Sequence, residues 1–163
     1  MKAALKGVKL KGLIGSLRLY SLAAGLYEVY RRVVRPHTHG ALVALWHGQQ
    51  LLLVQASYRR SLSLPGGGLE VGESAREAAV RELAEELGLH VAPQDLGAPW
   101  GVSELSAGGR NTVWIFPLAL QEPPALQPDG LEIVDLAWLS REQALQRPLT
   151  SHLRDYLTAG IGR

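Results

Sequence analysis

An α+β fold is predicted from three observations on this 163-residue chain. Apolar runs of strand length recur from residue 41 onward, an amphipathic segment with complete capping signals lies among them, and another helical pattern closes the chain. One more helical pattern precedes all of these. It sets residues 1–36 apart as an N-terminal arm on a domain of residues 37–163.

Within the arm, Arg18, Ser21, Gly25, Glu28, Arg32 and Arg35 recur at three- and four-residue steps, tracing a narrow polar stripe along a helix over 12–35. Leu17, Leu19, Tyr20, Leu22, Leu26 and Val33 belong to a much wider apolar face. Pro36 ends the helix, because the residue before a proline is driven out of the helical region. The arm holds eight of the 17 Lys+Arg against Glu28 alone, a charge of +7, which leaves −5 on the rest of a chain whose net charge is +2. Such an arm suits an anionic surface, nucleic acid or its own acidic domain. Packing on the domain or on a second subunit, giving a homodimer, is favoured over peripheral membrane contact. Sequence-specific nucleic-acid binding is not expected. Arg18 interrupts the apolar run that a secretory signal needs, and the same charges rule out a spanning helix.

In the domain, residues 41–46 and 51–57 read as strands of a hairpin turning at His47-Gly48-Gln49-Gln50. Leu64-Pro65-Gly66-Gly67-Gly68 reads as a glycine loop able to turn sharply and approach a ligand closely. A helix begins after Ser74, with Glu77 three residues on as its capping-box partner, and stops at Gly88. Ala79, Val80, Leu83 and Leu87 form its buried stripe. Beyond a connection through Pro93 and Pro99, strands over 100–105 and 112–120 meet at Ala107-Gly108-Gly109. Pro123, Pro124 and Pro128 mark a loop, and 133–139 is a further strand. Ser140, followed by Glu142 and Gln143, starts a helix, and 152–158 forms the last one.

Composition narrows the chemistry. Apolar residues make up 47% and charged ones 20%, ordinary for a soluble domain, with no repeat and no low-complexity tract. No cysteine is present, so disulfides and thiolate metal sites are excluded, with a lean towards the cytoplasm. Glu82, Glu85 and Glu86 stand at i, i+3 and i+4 on one helix face, where like charges cost about 0.2–0.5 kcal/mol per pair. A hard divalent cation offsets that repulsion, binding oxygen ligands while it bridges substrate phosphates. The alternative is a solvated acidic face held by Arg76 and Arg81.

The run from Gly67, through five residues to Glu73 and seven more to Arg81-Glu82-Leu83-Ala84-Glu85-Glu86-Leu87-Gly88-Leu89, resembles the Nudix box of the Nudix hydrolases without a departure. The resemblance covers residues 40–158. It implies a mixed β-sheet sandwiched between helices and cleavage of nucleoside diphosphates linked to another group, using Mg²⁺ or Mn²⁺. By the same resemblance Glu82, Glu85 and Glu86 hold metal, a carbonyl of Gly66 or Gly67 joins them, and Arg81 braces Glu82, the residue chosen here as general base. Glu132, just ahead of a strand, is carried over as an extra ligand or base, with Asp135 second and Glu104 weaker. A solvated charge at a strand edge is the alternative for Glu132.

Arg59 is a candidate for a substrate phosphate, since guanidinium pairs well with phosphate, whereas Arg60 reads as a solvated turn residue. Gly66 and Gly68 are assigned to close backbone approach to the substrate. Arg110 and Asn111 suit either a base or ribose contact or a hairpin tip. Trp46, Trp100 and Trp114 read as core, and His37 and His39 as an H-x-H pair in a linker. Between Trp100 and Phe116 there is neither the proline nor the tyrosine that ADP-ribose and diadenosine polyphosphate hydrolases often carry there, which disfavours both classes. The substrate is therefore left among nucleoside triphosphates and other nucleoside diphosphate derivatives. The rival reading is a non-catalytic Nudix domain kept as a nucleotide sensor or partner-binding module. Such domains usually lose a box glutamate or glycine, and none is lost here.

Overall fold

The computed structural model describes residues 38–106 and 109–160. The arm over 1–36, its expected helix and His37 lie outside the described residues. Strand β1 spans Thr38–His47 and β2 spans Gln50–Ala56, forming the expected hairpin, but its turn is only Gly48-Gln49, with Gly48 at φ 57°, since His47 and Gln50 pair as strand residues. Strand β1 begins earlier than its apolar run, so His39 is a strand residue and not part of a linker. The short strand β3 is Gly66–Gly68, and helix α1 is Ala75–Leu87. A single 3₁₀ turn, Pro93–Asp95, leads to β4 (Trp100–Ser106), β5 (Gly109–Leu120) and β6 (Ile133–Ser140). Helices α2 (Arg141–Leu145) and α3 (Ser151–Thr158) follow.

The sheet is mixed, in the order β4-β5-β1-β2-β6, with β1 and β5 parallel and the other pairs antiparallel. Strands β1 and β2 pair only next to their turn, at Trp46–Leu51 and His47–Gln50, and then part. The chain from Ser63 to Gly68 fills the opening. Ser63 exchanges two backbone bonds with Val54, the Val43 amide donates to the Pro65 carbonyl at 2.9 Å, and β3 pairs with Gly40–Leu42 of β1. The expected glycine loop is thus a strand wedged into the sheet, because its backbone groups find ladder partners on β1.

Alternation along β1 divides the core into two layers. Ala41, Val43 and Leu45 face α1 and pack with Ala79, Leu83 and Leu87. Leu42 and Ala44 face the other way, towards Leu153, Tyr156 and Leu157 of α3. The sheet is therefore covered by helices on both faces. Leu83 and Leu87 are fully buried, and truncating either to Ala would cost about 2–5 kcal/mol. Trp46, Trp100 and Trp114 pack against these two cores, Trp100 with its ring 5.7 Å from that of Tyr156. No helix among the described residues is long and apolar enough to cross a membrane.

Candidate active site

Helix α1 is fixed at both ends by its own sequence. Ser74 Oγ accepts from the Glu77 amide at 3.3 Å, and Glu77 Oε2 accepts from the Ser74 amide at 2.9 Å, completing the capping box. At the other end Gly88 takes φ 65°, and Leu89 N–H closes on the Leu83 carbonyl at 3.1 Å. The chain that follows β5 returns to this end. Gln127 and Asp129 donate their amides to the carbonyls of Leu87 and Glu86.

Glu86 does not lie on the solvent-facing side of the helix, as the i, i+3, i+4 spacing alone suggests. Its side chain turns beneath β3 and is only 5% exposed, with Oε2 accepting from the Gly66 amide at 2.8 Å. Burial pushes its carboxyl up to about 8, against the pull of that amide, and Glu82, Glu132 and Asp129 push it in the same direction. Glu82 is also raised, first by burial, with the bond from Arg81 opposing. Glu85 projects outward, its side chain 61% exposed. Ala78, absent from the expected buried stripe, is fully buried, and Val80 is only partly so.

Arg81 ties the box together. It donates to Glu73 through Nε at 2.8 Å and Nη2 at 3.0 Å, to Glu82 and Glu85 through Nη1 at 2.9 and 3.1 Å, and to the Gly68 carbonyl at 3.0 Å. These bonds, with Glu73 foremost, hold the guanidinium protonated and lower the Glu73 carboxyl. Arg76 takes no part in the acidic face. It reaches the carbonyls of Pro93, Leu96 and Gly97, with its guanidinium 5.0 Å from the Phe116 ring centroid.

The glycines are needed for shape. Gly66 has φ 128°, and a Cβ there would overlap the Ala41 carbonyl oxygen and lie 2.8 Å from Leu42 Cα. A Cβ on Gly67 would overlap Glu82 Oε1 and lie 2.7 Å from Glu82 Cδ. Strand β3 therefore lies directly against Glu82 and Glu86.

Glu132 comes to the same place from the far end of the chain. Asp129 accepts from the amides of Leu131, Glu132 and Ile133 at 2.9–3.2 Å, a side-chain-stabilised turn that delivers Glu132 within the electrostatic reach of Glu82 and Glu86. Tyr58 Oη donates to Glu132 Oε1 at 3.0 Å, and the Arg59 guanidinium stands 5.6 Å from the Tyr58 ring centroid. Burial, then the Glu132 charge, raises the Tyr58 phenol to about 12, so it remains a donor. Sequence reasoning gave neither Tyr58 nor Asp129 a role. The Asp-Gly turn ahead of Glu132 was the one visible signal for Asp129. His152, another residue the sequence reading passed over, is lowered to about 4, first by burial and then by the Arg59 charge, so α3 begins beside the turn that carries Arg59.

Other candidates lie elsewhere. Glu104 accepts from Ser151 Oγ of α3 at 2.9 Å, on the sheet face away from α1. Asp135 turns back on the Leu136 amide. Asn111 is a strand residue accepting from Thr38 Oγ1 at 2.9 Å. A concavity of about 820 Å³ lined by Trp46, Gln49, Asp95, Pro117 and Arg141 opens at the turn end of β1, whereas β3 pairs at its opposite end. None of the predicted site residues lines it, and the chemistry of the box outweighs its size.

Among the described residues no three carboxylate or imidazole groups converge into a ready-made metal cage. Glu82, Glu86 and Glu132 nevertheless supply hard oxygen donors that repel one another. That set fits a hydrated cation held by one or two carboxylates, with water and substrate completing its shell.

Wedged glycine strand, glutamate-bearing helix and helix-covered mixed sheet together define a hydrolase of the Nudix fold. The NUDIX domain model matches residues 36–159, and the chain belongs to that family. It is 38% identical over 105 residues to a Bacillus subtilis (strain 168) protein provisionally named an 8-oxo-dGTP diphosphatase, covering 64% of this chain and 67% of that one. With Phosphatase NudJ of Escherichia coli (strain K12) it shares 31% identity over 128 residues, 77% of this chain and 80% of the other. The crystal structure of a MutT NUDIX hydrolase from Burkholderia pseudomallei superposes with a TM-score of 0.67 at 21% identity, over 76% of this chain and 97% of that one, a likeness of fold. The chain is a hydrolase that cleaves a pyrophosphate bond.

Proposed function

We propose that this Nudix hydrolase is divalent-metal-dependent and acts in the cytoplasm on a nucleoside di- or triphosphate derivative, with Mg²⁺ or Mn²⁺. The observation that carries the reading is the packing of β3 on the box. A glycine backbone lies against the buried Glu86 and the part-buried Glu82, where a side chain at Gly66 would meet the backbone of β1 and one at Gly67 would displace Glu82. Glu82, Glu86 and Glu132, with Glu85 at the rim and the Gly67 carbonyl, would hold the cation. Bound there, a divalent cation neutralises the diphosphate and lowers the pKa of a bound water.

The chain's own groups perform the rest. Arg81 holds Glu82 in place, and Glu82 takes the proton of the attacking water as its oxygen bonds to phosphorus and the bridging P–O bond breaks. Arg59 pairs with a phosphate oxygen at the rim. The Gly66 amide and Gly68 carbonyl are already bonded to Glu86 and Arg81, so these glycines serve the substrate by shape.

The test is a panel of nucleoside triphosphates, 8-oxo-dGTP among them, and nucleoside diphosphate derivatives, with Mg²⁺ or Mn²⁺ and chromatography of all products. The name of the Bacillus subtilis relative puts the triphosphates first. Metal-dependent release is expected, falling at least ~100-fold in Glu82→Gln. A protein whose melting temperature rises with metal and nucleotide but which releases nothing would be a sensor, and the catalytic reading would fail.

A further inference from the structure

We propose that Tyr58 is a positioning residue for the pyrophosphate-cleaving site, its hydroxyl setting Glu132 and its ring setting Arg59. The inference rests on the reading of Glu132 as a metal-side carboxylate and Arg59 as a phosphate-side cation. Tyr58 stands in the turn after β2 with 42% of its surface exposed, so it is no core residue, although its hydroxyl end is desolvated against Glu132. Its hydroxyl nonetheless donates to Glu132 Oε1 at 3.0 Å, across 74 residues of sequence. The guanidinium of the next residue, Arg59, stands 5.6 Å from the ring centroid, within cation–π range.

The turn itself is held firmly enough to transmit this. The Ser57 amide donates to the Glu132 carbonyl at 2.8 Å, the Arg59 amide donates to the Ala56 carbonyl at 3.2 Å, and Gln55 Nε2 donates to the Arg59 carbonyl. Backbone and side chain therefore clasp Glu132 to the same turn. The clasp has a clear physical use. Glu132 lies within electrostatic reach of the Glu82 carboxylate, and that repulsion favours a swing of its own carboxylate towards water. A phenol donor offsets that repulsion and keeps the carboxylate oriented before any cation arrives. The same ring gives Arg59, a long side chain with many rotamers, a surface to rest on. Ordering it in advance lowers the entropy lost when it pairs with a phosphate. One side chain thus orients a carboxylate and a cation that serve opposite sides of the site.

The test separates the two contacts. Tyr58→Phe removes the hydroxyl and keeps the ring, and Tyr58→Leu removes both. Mn²⁺ binding to the substrate-free protein, followed by electron paramagnetic resonance, is measured for wild type, Tyr58→Phe, Glu132→Gln and the double variant. Steady-state kinetics follow on the best substrate of the panel. Tyr58→Phe should weaken Mn²⁺ binding and lower kcat by about 3- to 10-fold at unchanged KM and melting temperature. In the double variant it should add nothing to Glu132→Gln, the signature of one shared interaction. Tyr58→Leu should raise KM several-fold as well, to the level of Arg59→Ala.

Additive losses in the double variant would overturn the hydroxyl contact, as would unchanged Mn²⁺ affinity in Tyr58→Phe while Glu132→Gln weakens it. An unchanged KM in Tyr58→Leu while Arg59→Ala raises it would overturn the ring contact. If neither Glu132→Gln nor Glu82→Gln alters Mn²⁺ binding, the metal-side reading fails, and this proposal falls with it.

Discussion

Glu86 is an acid enclosed by glycine backbone, 5% exposed, with one backbone donor. Glutamine occupies nearly the same volume and keeps an oxygen for the Gly66 amide, so Glu86→Gln leaves the packing intact and removes only the capacity to ionise and ligate a cation. Turnover is expected to fall at least ~100-fold, with melting in EDTA within a few degrees of wild type. Steady-state assays and calorimetry on one preparation check both. His152 behaves differently. Its folded-state pKa of about 4 lies below the ordinary value of 6.5, so folding disfavours its protonation. The stability this gives is fully present above pH 6.5 and is lost as pH falls through about 4, at most about 3 kcal/mol. Thr150 Oγ1 lies 3.0 Å from His152 Nε2, a contact that a neutral amide can replace. His152→Gln should therefore melt with less pH dependence than wild type between pH 7 and 4. Equal slopes in that window would show that His152 does not titrate as its burial requires.

At the level of elements, β3 separates folding from chemistry. Gly66 occupies a backbone region hostile to side chains, and a Cβ there meets the immovable backbone of β1. Gly66→Ala should cost about 2–4 kcal/mol, read as a lowered denaturation midpoint. Gly67 has no such strain, and its added methyl would meet only the carboxylate tip of Glu82. Gly67→Ala should therefore fold almost normally while losing most activity, because Glu82 is displaced. Equal stability losses in both variants would contradict this division. The capping box at Ser74, the stop at Gly88 and the hairpin at Gly48 were legible in sequence because their signals are local. The burial of Glu86 was not. Spacing assigns a helix face, but only the insertion of β3 between β1 and β2 decides what covers that face. Arg76 and Arg81 are likewise indistinguishable by type, and their opposite destinations depend on where the 3₁₀ turn and β3 lie. The Tyr58 contact joins positions 74 residues apart, beyond any local pattern.

The whole molecule carries its charge unevenly, +7 on residues 1–36 and −5 on the remainder. The arm lies outside the described residues, and we propose that it governs association and leaves the chemistry alone, since the family match begins at residue 36. As the amphipathic helix its sequence predicts, the arm would cover a wide apolar face with protein or lipid, and each choice has its own consequence for a truncated chain. If the arm packs on the domain or a second subunit, removing residues 1–36 uncovers an apolar surface and lowers solubility or halves the mass. If it rests on a bilayer, removal improves solubility and abolishes sedimentation with anionic vesicles. Salt separates the two further. Surface attraction to lipid weakens as ionic strength rises and the screening length contracts from about 10 Å at 0.1 M to about 3 Å at 1 M, whereas apolar packing persists. We favour packing, and expect the truncated chain to keep its kcat while losing solubility or subunit pairing, with little salt dependence in the full chain's mass. Sedimentation of both chains at low and high salt, with and without vesicles, measures this. Unchanged mass, solubility and vesicle binding on truncation would make the arm a passive extension.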